Sequence, residues 1–275
     1  MISANRLDHT VINARFAMEP LVDVFRGLGF TLTPQGRHST GSINHLMMFG
    51  TDYLELLAIP EGQMHDRPDL SGAPVGINGI VFKTDDADAV FAHLEAEGMA
   101  GNPVRAFSRP VDMNGEMRDA RFRTTTVRAD VFKGGRVYFC EHGTPELVWR
   151  PEWQTHENRV VSMPEFVVVS SDPETEAADF ARLLNGAVEG NSVPFTGGKV
   201  SVLSEAAYKA RYGDMASDMN GRPSIFGAMV FACDDLAPLE KILASPPAGA
   251  ETRKTETGFT VFVTDYDALL EFVPA

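Results

Sequence analysis

A carboxylate stands inside a strongly apolar run at residues 53–59, YLELLAI. On a β-strand alternate side chains share a face, which groups Tyr53, Glu55, Leu57 and Ile59. A carboxylate among such neighbours is costly unless it is paired or bound to a metal. Imidazoles that could serve a site beside it occur in three short segments. His9 lies in LDHTVIN, His38 and His45 lie in GRHSTGSINH, and His142 follows Glu141 in RVYFCEHGT. Imidazole and carboxylate donors together suit a divalent ion and oxygen chemistry. Arg37, just before His38, has the planar fork that pairs bidentately with a carboxylate. Tyr53 and Tyr138 offer hydroxyls to orient oxygen atoms, and His45 on its strand is a further polar contact.

Positioning these groups requires several strands. LDHTVIN (7–13) is short and β-branched, and a helical pattern follows in Leu21, Val22, Val24, Phe25 and Leu28, stopped by Gly29. FTLTP, SINHLMMFG and YLELLAI then read as strands, giving the order β-α-β-β-β. The order restarts at INGIVFKTDD (77–86), at PEFVVVSSDP (164–173) and at IFGAMVFACDD (225–235). GIVFKTDD at 79–86 overlays AMVFACDD at 228–235 without gaps, and in that register His9, Gly79, Glu165 and Ala228 coincide. A period near 70 residues is too long for a solenoid and suits one helix packed on a small sheet. Irregular stretches at 61–75, 142–160 and 204–224 separate the units, and the last has room for a short helix. The largest change in composition places one domain at 1–150 and a second at 161–275.

The 275 residues carry 44% hydrophobic and 23% charged side chains, a composition that excludes disorder for the bulk of the chain. The net charge of −14 repels phosphate backbones and anionic lipid, so neither nucleic acid nor a membrane surface is expected as a partner. No run has the length of a membrane span and the N-terminus lacks the apolar core of a signal peptide, so a cytoplasmic location is expected. Cys140 and Cys233 sit in strand-like runs and read as two buried thiols, and no CxxC is present to build a zinc cluster.

The repeated units, together with LDH (7–9), LGF (28–30), GRHSTGSINHLMMFG (36–50) and YLELLAI (53–59), resemble the vicinal oxygen chelate superfamily. More narrowly they resemble its glyoxalase-like proteins of the glyoxalase/bleomycin resistance/dioxygenase type. The likeness covers the whole chain in architecture and residues 6–160 in motifs. It implies an α+β fold in which four βαβββ units form two cup-shaped mixed β-sheets with helices packed outside. It also implies a divalent metal (Zn, Fe, Mn, Ni or Mg) in a cup, with His9 and Glu55 at the family's ligand positions. At the matching position in the second unit stands Gly79, which has no donor, so the third ligand must come from the last strand, as His142 or Glu141. Alternation groups Tyr138, Cys140 and His142 on one face and Val137, Phe139 and Glu141 on the other. The polar atoms of the first group favour His142, giving a set of two imidazoles and one carboxylate. Glu141 instead would make a harder, oxygen-rich set.

The resemblance implies a metal-dependent lyase or isomerase acting on a small oxygen-rich substrate, with Glu55 or Glu141 moving the proton. Two alternatives stand beside it: an extradiol-type dioxygenase, disfavoured by Gly79 and Ala228, and a non-catalytic protein of the kind that sequesters antibiotics. In the second half Glu165 and Glu271 are the matching polar residues, no histidine follows His156, and this domain reads as degenerate. It suits a supporting role, with a homodimer possible. His156 reads as part of a linker stapled to the surface by Trp149 and Trp153, and His65 and His93 read as solvent-facing.

Overall fold

The computed structural model describes residues 5–63 and 67–275; His65 lies outside them. The first unit comprises β1 (Leu7–Arg15), α1 (Met18–Gly27), β2 (Gly36–Arg37), β3 (Ile43–Met48) and β4 (Tyr53–Ala58). After the short α2 (Pro68–Ser71), the second comprises β5 (Gly76–Lys83), α3 (Ala87–Ala96), β6 (Arg105–Met113), β7 (Glu116–Thr126) and β8 (Arg136–His142). Their strands make one eight-stranded sheet in the order β2-β3-β4-β1-β5-β8-β7-β6. In each unit the last strand returns beside the first and runs parallel to it, β4 on β1 and β8 on β5, while β1 and β5 join the units antiparallel. FTLTP, expected as a strand, is not one: Thr33 donates its N–H to Leu46 O, and the strand that follows is the two-residue β2.

The second sheet has seven strands. It uses β9 (Val160–Ser170), α4 (Pro173–Leu183), β10 (Ser192–Phe195), β11 (Gly198–Leu203), α5 (Glu205–Tyr212), β12 (Ser224–Cys233), α6 (Ala237–Leu243), β13 (Ala250–Lys254), β14 (Phe259–Val263) and β15 (Ala268–Pro274). Its order is β10-β11-β9-β12-β15-β14-β13, so the third unit is one strand short. The central pairings of the two sheets run in step. His9 opposes Val81 as Glu165 opposes Val230, and Tyr138 lies beside Val81 as Glu271 lies beside Val230.

Strand alternation sorts each sheet into two faces. From β4, Leu54, Leu56 and Ala58 join α1, α3, α4, α6 and the back of the second sheet in one large shared core. Tyr53 and Leu57 point the other way, into the first cup with Val11, Leu46, Met48, Val81, Phe122 and Cys140. These four helices, α1, α3, α4 and α6, therefore pack outside both cups. The amphipathic stripe of α1 needs this arrangement, because Leu21, Val22 and Phe25 are fully buried there.

The connection between units closes each cup differently. Over the first cup, Leu70 of α2 joins the interior cluster, and Asn13 Nδ2 donates to Leu70 O and Pro74 O. Into the second cup, α5 drives Tyr208 and Tyr212. Tyr208 is fully buried and donates its hydroxyl to Gly227 O at 2.8 Å. A Cβ at residue 227 would lie 2.9 Å from the Tyr208 ring, so glycine makes the approach possible. The second cup is filled by its own chain.

Candidate active site

His9 opens the first cup. It stacks on Tyr53, ring centroids 4.4 Å apart, and its Nε2 faces Glu55 Oε2 at 3.7 Å and the Tyr138 hydroxyl at 3.2 Å. Glu55 and His9 thus share a face at the separation an ion between them requires. Glu55 is held from the other side, where Asn44 Nδ2 donates to its Oε1 at 2.7 Å. His38 Nε2 stands 4.0 Å from the same oxygen, its Nδ1 2.9 Å from Ser42 Oγ. Burial, with the positive Arg109 and Arg67 nearby and only Glu55 opposing, pushes His38 down to about 4, so its imidazole is neutral.

Asp8 is the residue that alternation hides. It precedes His9 and should face the opposite side of the sheet, yet its carboxylate meets His9 Nδ1 at 2.7 Å and His142 Nε2 at 2.9 Å. The pairing of β1 with β5 slips between Leu7 and His9, a bulge that re-aims the extra residue. Burial would raise the Asp8 carboxyl, but the His142 and His9 imidazoles outweigh it and hold Asp8 well below the usual carboxylate range. As an ionised acceptor it takes an N–H from each ring, which leaves His9 Nε2 to accept the Tyr138 hydroxyl, with Glu55 Oε2 beside it at 3.7 Å. His142 Nδ1 is buried with no partner among the described residues.

His142 therefore faces the cup, as alternation of β8 requires, but its Nε2 is engaged by Asp8 and is not turned toward Glu55. Asp8, Cys140 and His142 offer one ligand atom each within 4.8 Å of one another, a softer set containing a thiol. Burial and the charges of Asp8 and Glu55 raise the Cys140 thiol well above its ordinary value, which opposes the thiolate a metal needs. Both cysteines are buried and free.

Three expected residues lie elsewhere. Glu141 is on the helix-facing side of β8, outside the cup, where it accepts the Ala87 N–H at the start of α3 and pairs with Arg123. His45 sits on the outer face of β3 with its Nδ1 2.7 Å from Thr33 O. Arg37 is exposed. The guanidiniums that do enter the cup region are Arg67, which donates to Ser42 Oγ and pairs with Asp69, and the buried Arg109 of β6. Neither stood out in sequence, because nothing local separates them from the other arginines. A third, Arg136, lies over Gly79: its Nη2 would be 3.8 Å from a Cβ there.

Aromatic rings line the wall. Phe107 meets His38 edge-on, Phe107 stacks on Phe122, Phe122 meets His142, and Trp149 touches both His142 and Tyr53. Trp149 is thus part of the cup and not a surface staple. His156 is a buried brace: it accepts the Thr31 N–H on Nδ1 and reaches Met48 O through Nε2. His93 Nε2 lies 3.1 Å from Arg182 O on α4.

The second cup departs from this pattern. Glu165 stands in the register of His9 and Glu271 in that of Tyr138, and Arg211 of α5 bridges them at 2.9 and 2.7 Å. Tyr212 adds its hydroxyl to Glu271 at 2.7 Å. A guanidinium fills the position between the two carboxylates. A cleft of about 520 Å³ between α3 and α4 is lined by Glu97, Arg128, Asp130 and Asp179 and lies away from these groups.

A family model described as a glyoxalase-like domain matches residues 7–184. No curated protein matches the chain. A hypothetical protein from Staphylococcus aureus is 12% identical, with a TM-score of 0.65 over 98% of this chain and 99% of that one. A fusion of a xylose isomerase-like TIM barrel with 4-hydroxyphenylpyruvate dioxygenase is 13% identical, with a TM-score of 0.59; the match covers 99% of this chain and 49% of the fusion. A mutant 4-hydroxymandelate synthase from Streptomyces coelicolor is 12% identical, with a TM-score of 0.56 over 100% of this chain and 93% of that one. At these identities the likeness is one of fold.

Proposed function

The chain belongs to the glyoxalase-like family of the vicinal oxygen chelate superfamily, and from that premise we propose that its first cup houses a metal-dependent lyase or isomerase for a small oxygen-rich molecule. One observation carries this reading. His9 Nε2 and Glu55 Oε2 are 3.7 Å apart with no hydrogen bond between them, while Asp8 fixes the other side of the His9 ring. Two ligands of one ion, each about 2.0–2.2 Å from it, stand roughly 3–4 Å apart. A ligating imidazole characteristically gives its second N–H to a carboxylate, the part Asp8 plays.

His9 and Glu55 would hold the ion, and His38, whose Nε2 stands 4.0 Å from Glu55 Oε1, would supply a third donor on turning from Asn44 Nδ2. Two imidazoles and one carboxylate with open positions suit iron(II), manganese or a similar ion. When bound, the ion polarises a substrate carbonyl or enediolate oxygen. The protein's own groups do the rest. Asn44 fixes Glu55, Tyr53 fixes the plane of His9, and the Tyr138 hydroxyl, 3.2 Å from His9 Nε2, would turn to a substrate oxygen once an ion takes the lone pair of that nitrogen. His142, whose Nε2–H is held by Asp8, keeps a lone pair on Nδ1 to take and return a proton, the arrangement of an imidazole oriented by a carboxylate. The aromatic wall keeps water from the proton in transit.

Elemental analysis of protein purified without chelator or affinity resin tests this. About one divalent ion per chain is expected, lost in His9→Ala and Glu55→Gln and kept in Cys140→Ser. Wild-type protein that takes up no divalent ion would end the metal reading. Loss of the ion in Cys140→Ser but not in Glu55→Gln would move it to the Asp8, Cys140 and His142 group.

A further inference from the structure

Arg109 is a cation in the wrong place for a structural residue. It sits on β6 with 3% of its surface exposed, and among the described residues it makes no ion pair. Its Nε and Nη2 are both buried without a hydrogen-bond partner. These two nitrogens point their N–H groups in parallel from one edge of the guanidinium, the edge that receives both oxygens of a single carboxylate. A buried charge without a partner is expensive, and folding alone gives no return for it.

The surroundings keep this cation in position. A Cβ at residue 36 would lie 2.4 Å from Arg109 Cδ and 2.3 Å from Asn44 Oδ1, so Gly36 is what admits both side chains. Asn44 is the residue that holds Glu55, which ties the guanidinium to the Glu55 end of the cup. Glu55 and Tyr53 act electrostatically on Arg109 but neither is bonded to it. Asn44 Oδ1 is also buried without a partner; it lies by the Cδ and Nη1 edge of Arg109, which leaves the Nε and Nη2 edge for a ligand.

We propose that Arg109 is the specificity residue of the first cup and that the substrate is a carboxylic acid, bound through both carboxylate oxygens to Nε–H and Nη2–H. The rest of the molecule then lies in the first cup. This rests on the reading of the first cup as the reaction site and adds the substrate class to it. Arg37, which sequence favours for this task, is exposed.

Calorimetric titration of the full chain with 2-oxobutyrate and with phenyllactate, each against its methyl ester, tests it. The acids should bind at least tenfold tighter than the esters to wild-type protein. The preference should vanish in Arg109→Met, fall in Arg109→Lys, which keeps the charge without the fork, and fall in Gly36→Ala, which keeps the arginine but displaces it. Arg109→Met should melt no lower than wild type, since no internal partner is lost. Acids and esters binding alike, or not at all, would overturn the proposal. So would a preference that survives in Arg109→Met, or inorganic phosphate binding more tightly than both acids. Metal content measured on the same samples separates the two readings. An acid preference in protein that holds no metal sinks the metal site alone, and bound metal without acid preference sinks this proposal alone.

Discussion

Asp8 and His9 are neighbours on one strand and nevertheless point into the same cup, their Oδ2 and Nδ1 atoms 2.7 Å apart. The bulge between Leu7 and His9 makes this possible, and the Asp8 carboxylate fixes the orientation of the His9 ring. Asp8→Asn should therefore lower affinity for a divalent ion by roughly 10–100-fold while the near-ultraviolet circular dichroism stays native. Competition against a chromogenic chelator measures this. Unchanged affinity would mean that Asp8 serves the fold only.

The two residues that end β8 should behave oppositely. His142→Ala removes the group behind Asp8 and should depress turnover, with metal content reduced at most in part. Glu141→Gln should leave metal content and turnover intact and cost about 1 kcal/mol of stability, through the weakened acceptor at the start of α3 and the lost Arg123 pair. Metal analysis and thermal melts of the two variants, prepared identically, decide the matter; metal lost only from Glu141→Gln would place the site on the wrong face of β8.

Asp52 ties stability to pH. Burial raises its carboxyl from the ordinary 3.8 to about 7, against the Met163 N–H that it accepts. Below about pH 4 both folded and unfolded chains carry the proton and Asp52 costs nothing. As pH rises from about 4 to about 7 the unfolded chain releases the proton first, so the native state loses ground, and beyond about 7 the loss is constant. Asp52→Asn keeps an acceptor for Met163 and has no such loss. Its melting temperature should exceed that of wild type by several degrees at about pH 8 and by little at about pH 4. Parallel melting curves across that range would contradict the assignment.

Arg211 should be structural. Arg211→Met leaves Glu165 and Glu271 facing each other in a cup closed by α5. The cost should be about 2–3 kcal/mol, between exposed and buried pairs, or roughly 5–10 °C in melting temperature. Metal bound at the first cup should be unaffected. A melt within a degree or so of wild type would show that the bridge contributes nothing.

The sequence by itself determined the strand faces and most of the order of elements. Alternation in YLELLAI and RVYFCEH was enough to put Glu55, Tyr53, Tyr138 and His142 on the inner face, because a sheet with one packed side leaves a strand no other choice. It also overlaid His9 on Glu165 and Gly79 on Ala228, and the two sheets pair equivalently, His9 opposite Val81 and Glu165 opposite Val230. Tertiary structure alone decided which polar groups meet. Asp8 entered through a bulge that has no local signature. Arg109 comes from β6, more than fifty residues after Glu55 in the chain and at the far end of the strand order, and only closure of the sheet brings it to the Glu55 end. Arg211 reached Glu165 and Glu271 because α5 folds into a cup that the shortened third unit leaves to be filled. Periodicity reports the direction of a side chain relative to its own strand; which charge it meets depends on how distant strands curve together, and that information is not local.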